Sequence, residues 1–205
     1  SGNDCPKLST LTALELGGRQ TYYDKVDQVD EAIEVARWAK SESVPLWLVG
    51  GGSNLLCDDD GLEGLVLQLA LSQIEWGKPN ANGEVQVTLG AGVEWHTFVE
   101  ESVSRGLAGV ECLIGIPGWA GAAPIQNIGA YGQSFSDTCE SVYVYDLERD
   151  TLCWWTANEC EFAYRNSLFK QRLGRYLILS LKLILPYDVQ LSLKYPQLIN
   201  RLSVR

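Results

Sequence analysis

The sequence has a single histidine, His96, no methionine, and no Cys-x-x-Cys pair among its six cysteines. One imidazole makes histidine-based catalytic triads poor candidates, and the cysteines at 5, 57, 112, 139, 153 and 160 are too scattered for a zinc site. They read as free thiols in a reducing compartment. Basic residues are also scarce: 16 Lys and Arg stand against 26 Asp and Glu, for a formal charge of -10. This acidity argues against nucleic acid and anionic membrane as partners, so an anionic substrate must be met by local positive groups. No apolar run reaches the length of a membrane span, and Ser1 to Ser9 lacks the charged-then-apolar pattern of a leader. The expected location is the cytoplasm.

What is present is a globular composition, 46% hydrophobic and 20% charged over 205 residues, enough for one large domain or two small ones. Leu8, Leu11, Leu14 and Leu16 predict a short irregular arm and then a strand, closed by Gly17 and Gly18. Asp27 and Asp30 resemble a helix-capping arrangement, and Val29, Ala32, Ile33, Ala36 and Ala39 keep helical spacing, predicting a helix over 28–40. Residues 45–49 and 65–69 read as buried strands, so a β-α-β-β unit closes near residue 72. The polar stretch 77–83 is a domain boundary or a hairpin turn. Beyond it the pattern predicts a strand from Val85, a helix through Val93, His96, Val99 and Val103, and a hairpin over 141–156. A long apolar strand over 176–185, stopped by Pro186, completes an α+β chain with two sub-domains.

Three segments carry chemistry. Gly50-Gly51-Gly52-Ser53-Asn54 follows a buried strand directly, so consecutive backbone N–H groups can converge on an anion with two side-chain donors beside them. It is neither a Walker loop nor a Gly-x-Gly-x-x-Gly helix entry. The stretch from Gly115 to Gly132 holds five glycines and two prolines in eighteen residues, yet Ile116, Trp119, Ile125, Ile128 and Tyr131 make it apolar. Such a loop lets the backbone approach a large flat ligand. In Phe162-Ala163-Tyr164-Arg165-Asn166-Ser167, Arg165 can hold a carboxylate through two parallel hydrogen bonds, with the Tyr164 hydroxyl beside it. His96 reads as a packing or surface residue, and Asp58, Asp59 and Asp60 as a solvated loop.

In this order and at these separations, the three segments resemble the FAD-containing UDP-N-acetylenolpyruvoylglucosamine reductases, which make the muramic acid precursor of peptidoglycan. The likeness extends from about Leu11 to Leu198. It rests on Gly50-Gly51-Gly52-Ser53-Asn54-Leu55, on Ile116-Pro117-Gly118-x-x-Gly121 with Gln126-Asn127-Ile128-Gly129-Ala130-Tyr131-Gly132, and on Tyr164-Arg165-Asn166-Ser167-x-Phe169-Lys170. The fold this implies is the vanillyl-alcohol-oxidase-like (PCMH-type) FAD-binding fold, an α+β arrangement with sub-domains at 1–72 and 73–205. By the same resemblance, Gly50, Gly51, Gly52, Ser53, Asn54 and Leu55 hold the FAD pyrophosphate. Ile116, Pro117, Gly118, Gly121, Ala122, Ala123, Ile125 and Gln126 line the flavin. Asn127, Gly129, Ala130, Tyr131 and Gly132 continue that wall, and Ile178 packs nearby. NADPH is the implied hydride donor and an enolpyruvyl sugar nucleotide the substrate. Arg165 is the implied catalytic residue, with Tyr164 and Tyr195 as substrate contacts.

The pattern also departs from the family. Its proton-donating serine segment, Gly-Ser-Phe-Phe-Lys-Asn-Pro-like, and its late glutamate have no counterpart before Arg205, where the family's third, substrate-closing domain is expected to begin. The alternatives are therefore a flavin-binding module without the complete reaction, or an oxidase of the same superfamily. Against the oxidase stand the missing histidine for a covalent flavin link and the Tyr164–Ser167 segment. Trp119 and the Ala122-Ala123 pair stand where some family members have smaller or hydroxyl-bearing residues.

Overall fold

The computed structural model describes residues 5–187, and within them the leucine-rich arm does not become a strand. Leu8–Thr10 makes one 3-10 turn, and the amides of Leu8 and Ser9 bond back to the carbonyls of Gly18 and Gly17, so the arm folds onto itself. Strand β1 (Gln20–Val26) begins only after the glycine pair. Helix α1 (Val29–Ser41) follows, burying Ala32, Ile33, Ala36 and Ala39 on one stripe, with Asp30 and Glu31 in its first turn and Lys40 in its last, as the helix dipole favours. The expected Asp27 cap is corrected: Gln28 occupies the N-cap without a side-chain bond, and Asp27 accepts only from the Gln28 amide group.

Strands β2 (Leu46–Val49) and β3 (Leu62–Leu69) complete a three-stranded parallel sheet in the order β1-β3-β2. A second sheet is antiparallel. It contains β4 (Ile74–Trp76) and β5 (Glu84–Gly90), joined through 77–83 as a hairpin in which the Asn80 side chain accepts from the amides of Asn82 and Glu84. Helix α2 (Trp95–Ser104) comes next. The small ribbon β6 (Gly129–Ala130) and β7 (Gln133–Ser134) precedes β8 (Cys139–Asp146), β9 (Thr151–Thr156), the short α3 (Leu168–Gln171) and β10 (Tyr176–Pro186). The sheet order is β4-β5-β10-β8-β9.

β10 explains why its sequence is apolar without alternation. It lies between β5 and β8, and its register against β8 slips between Ile178 and Ser180. Before the slip Tyr176 and Ile178 face the larger core, which also holds Val87, Phe98, Val142 and Phe135; after it Leu181, Leu183 and Leu185 do. Leu177 and Leu179 face the other way, onto a second core formed with Val26, Ile33, Ala36 and Leu67. One bulged strand thereby serves two cores, and α1 is packed between the two sheets. Arg37 of α1 pairs with Asp150 at 2.9 Å, and Lys40 donates to the Leu147 carbonyl, both in the β8–β9 turn. Cys139 and Cys160 lie buried in the larger core as free thiols, and burial pushes Cys160 up to about 12.

The β8–β9 turn is held by a buried carboxylate. Asp146 accepts from the amides of Glu148 and Arg149 and from the Arg175 guanidinium at 2.7 Å. Burial alone raises the Asp146 pKa, but Arg175 and the two amides outweigh it and hold the carboxyl below its ordinary value. The stabilisation it contributes is therefore complete at neutral pH and is lost as the pH falls below about 4, through the depressed folded value. Arg175→Ala removes the shortest contact of this carboxylate, and urea denaturation at pH 7 is expected to show a lower midpoint than wild type. An unchanged midpoint would mean that the pair is merely a surface contact.

Candidate functional site

The Gly50–Asn54 turn leaves the carboxyl end of β2, the side of a parallel sheet where ligands are usually received. Its course depends on Gly52, whose φ is +67° and where an added Cβ would lie 1.7 Å from the Leu11 carbonyl oxygen. A relay from the sheet positions it: the Tyr23 hydroxyl donates to Gln68 at 2.7 Å, and the Gln68 amide donates to the Gly50 carbonyl at 2.9 Å. Burial, with the Asp24 charge second, raises the Tyr23 pKa, which keeps the phenol a donor. Leu55 packs under the turn against Leu8, Val49 and Val66.

The second glycine segment crosses directly over this turn. Ser53 Oγ donates to the Pro117 carbonyl at 3.1 Å, and an added Cβ at Gly118, where φ is +115°, would lie 2.8 Å from the same Oγ. The segment is anchored by Trp95 N–H to Gly118 O, Ala120 N–H to Val93 O, and Gly121 N–H to Ala91 O. Among the described residues, the amides of Gly51, Gly52, Ser53 and Asn54 have no acceptor in the chain, and neither do those of Gly118 and Trp119. Backbone donors gathered from two turns in contact can serve as a cradle for an anion. Next to it runs an apolar slot of about 70 Å³, lined by Gly50, Leu67, Leu69, Trp119, Ala122, Ile125 and Ile178, among others.

Tyr164 and Arg165 form the tip of a two-residue turn closed by reciprocal bonds between Ala163 and Asn166. Arg165 sits at φ +52°, a left-handed conformation that a non-glycine residue holds only when its surroundings impose it. Those surroundings are explicit. Asn127 Nδ2 donates to the Ala163 carbonyl at 3.2 Å, Ser167 Oγ to the Ile125 carbonyl at 2.5 Å, and Lys170 Nζ to the Arg165 carbonyl at 2.9 Å. The Arg165 guanidinium donates to the Gly129 carbonyl at 2.8 Å and is otherwise exposed, as is Tyr164. The charged turn is thus bolted to the same segment that walls the slot.

The structure sorts the expected site residues into groups. Gly50, Gly121, Ala122, Ile125 and Ile178 line the slot, while Gly51, Gly52, Ser53, Pro117 and Gly118 meet at the cradle. Asn54 is exposed and Gln126 half-buried. Ala123 is buried in the larger core, and Ile116 packs against that core. Asn127 is buried too: its Oδ1 accepts from Ser136 N–H, and its Nδ2 donates to Ser136 Oγ as well as to Ala163. Gly129 and Ala130 form β6, followed by the exposed Tyr131 and Gly132. Tyr195 lies outside the described residues. His96 is on α2, where Nδ1 accepts from Gly115 N–H at 3.2 Å. The sequence reading had no role for Gln68 or Ser167; a lone polar residue in an otherwise buried strand was the available signal for Gln68.

Comparison with known proteins bears on this geometry. The model of a family described as FAD binding domain matches residues 21–154. The UDP-N-acetylenolpyruvoylglucosamine reductase of Thermobifida fusca is 44% identical over 171 residues, covering 83% of this chain and 48% of that protein. In fold, the chain is similar to the UDP-N-acetylenolpyruvylglucosamine reductase of Thermus caldophilus, with a TM-score of 0.71 at 24% identity over 98% of this chain and 66% of that one. A VAO-type flavoprotein from Myceliophthora thermophila matches with a TM-score of 0.58 at 17% identity, over 83% of this chain and 33% of that one. The chain spans about half the length of the curated relatives it matches.

Asn127→Ala removes the bridge between the slot wall and the arginine turn and leaves Ser136 N–H without its partner, while the Ala163 carbonyl keeps only the Asn166 N–H. The expected cost is about 1–3 kcal/mol. Hydrogen exchange at the amides of Ala163 and Asn166 should accelerate more than that of the β8 amides. Equal acceleration everywhere would deny the bridge a local role.

Proposed function

The chain belongs to the FAD binding domain family, and we propose that it forms the FAD-binding part of a reductase that converts UDP-N-acetylglucosamine enolpyruvate to UDP-N-acetylmuramate for peptidoglycan synthesis in the cytoplasm. The observation that carries this reading is the pair of touching turns with unanswered amides beside an apolar slot, with a charged turn fastened to the slot's wall. Residues 1–72 and 73–205 act as its two sub-domains. The donor set suits FAD. The amides of Gly51–Asn54, Gly118 and Trp119 answer the pyrophosphate, and the wall from Ile116 to Gly132, with Ile178, faces the ring system. Asn127 serves that wall from behind, since its side chain is engaged with Ser136 and Ala163.

FAD held there would supply the two-electron carrier between NADPH and the vinyl carbon of the sugar nucleotide, with the neighbouring carbon taking its proton from an acid group of the full protein. The residues of this chain make that carbon receptive. Arg165 commits one donor to Gly129 and has further N–H groups to hold the substrate carboxylate in a bidentate pair. Charge building on that carboxylate as the carbon accepts hydride is stabilised by a guanidinium that is already in place. The Tyr164 hydroxyl stands beside it on the same turn, and Tyr195 contacts the substrate.

Purified protein should show the visible absorption of a flavin. NADPH oxidation that depends on the enolpyruvyl substrate should follow in the full protein carrying this chain. Because the Arg165 side chain is exposed and makes one hydrogen bond among the described residues, Arg165→Ala is expected to retain the flavin spectrum. Substrate-dependent turnover should fall by at least about 10²–10³-fold. Turnover at the wild-type rate would overturn the assignment.

A further inference from the structure

The apolar slot is far smaller than the ligand it serves. Its volume of about 70 Å³ compares with roughly 300–1,000 Å³ for small-molecule sites, so this slot, open to solvent on one side, takes in only part of a ligand unless its wall moves. Most of the lining cannot. Leu67, Leu69 and Ile178 are buried strand residues, and the backbone at Ala120 and Gly121 is tied to Val93 and Ala91. The Gly50–Gly52 turn is locked beneath by Leu11 and Gln68.

Trp119 is different. It is the largest side chain on the slot's wall and is half-buried, and its indole N–H has no acceptor among the described residues. Its ring lies on the cradle: an added Cβ at Gly51 would be 3.2 Å from its Cδ1 and 3.4 Å from its Nε1. The other group that faces the ring is Lys25, exposed on β1, with Nζ 6.0 Å from the ring centroid and no ion pair among the described residues. An exposed cation–π contact of this kind is worth only about 0.5–1 kcal/mol. Rotating one side chain on an extended backbone (φ -95°, ψ 153°) is thus the least costly way to open the slot.

We propose that Trp119 is a shutter over the phosphate cradle, held closed by Lys25, and that when it swings out Lys25 is released to pair with the incoming phosphates. The inference rests on the FAD reading and adds two residues to it: a steric control on entry, and a local cation for an anionic ligand in an acidic chain. A closed resting state lowers apparent affinity by the fraction of molecules that are open, so removing the indole removes that penalty.

The test is FAD association with flavin-free protein, followed by flavin fluorescence in wild type, Trp119→Ser and Trp119→Val; valine suits the extended backbone if serine unfolds the loop. Both variants should associate about tenfold faster than wild type. Lys25→Gln should speed FAD dissociation several-fold, because the bound phosphates lose a cation, and flatten the dependence of binding on salt. Rates at or below wild type in the Trp119 variants would make the indole a stacking platform and overturn the shutter while the FAD reading stands. Unchanged dissociation and salt dependence in Lys25→Gln would remove the lysine from it. Failure of every protein to bind FAD would overturn the FAD reading and the shutter together.

Discussion

The organising constraint of this structure is a set of backbone N–H groups with no acceptor in the chain, carried by two turns that touch through Ser53 and Pro117. Most of these residues are exposed or half-buried, so water can answer the amides until a ligand does. Keeping the two turns open and in contact requires conformations and approaches that side chains forbid. The left-handed Gly52, pressed on the Leu11 carbonyl, meets one requirement; the near contact of Gly118 with Ser53 meets the other. The strands then have to bring the two turns together from residues more than sixty positions apart.

That is the task of the two sheets and of the helix between them. The parallel sheet presents the first turn at its carboxyl end, and the Tyr23–Gln68–Gly50 relay sets its height. The antiparallel sheet supplies the second. Its central strand changes face at a bulge, so Ile178 reaches the slot while Leu177 and Leu179 grip α1 on the opposite side. The Arg37–Asp150 pair and the Lys40 contact clamp α1 to the second sheet, adding directional contacts to an otherwise apolar interface.

The charged end of the site obeys the same economy. An arginine on an exposed turn would ordinarily sample many positions, and side-chain entropy would oppose any fixed placement. Here the turn itself is fixed, by Asn127 and Ser167 at its base and by Lys170 on the Arg165 carbonyl, with Arg165 held in a left-handed conformation. The guanidinium remains exposed on a rigid support. The backbone is fastened, and the guanidinium is left available.

Much of this was legible in the sequence because it is local. Helical spacing marked α1, the polar stretch 77–83 marked a boundary or a hairpin, and glycine density marked both turns, since φ preference and short-range periodicity are properties of a few neighbouring residues. What failed also failed for physical reasons. The leucine arm near residue 8 satisfies strand propensity but bonds back onto Gly17 and Gly18, and Asp27 has the chemistry of a cap without its position. Asn127 was placed in the flavin wall by the family resemblance, and what no pattern could show is that its side chain turns inward to Ser136 and Ala163. The sequence by itself determined which segments carry donors, apolar wall and guanidinium, because those are properties of residue types. Tertiary structure alone decided that the two turns touch, that an indole lies against Gly51, and that Lys25 stands over that indole, because long-range packing sets distances between residues remote in the chain.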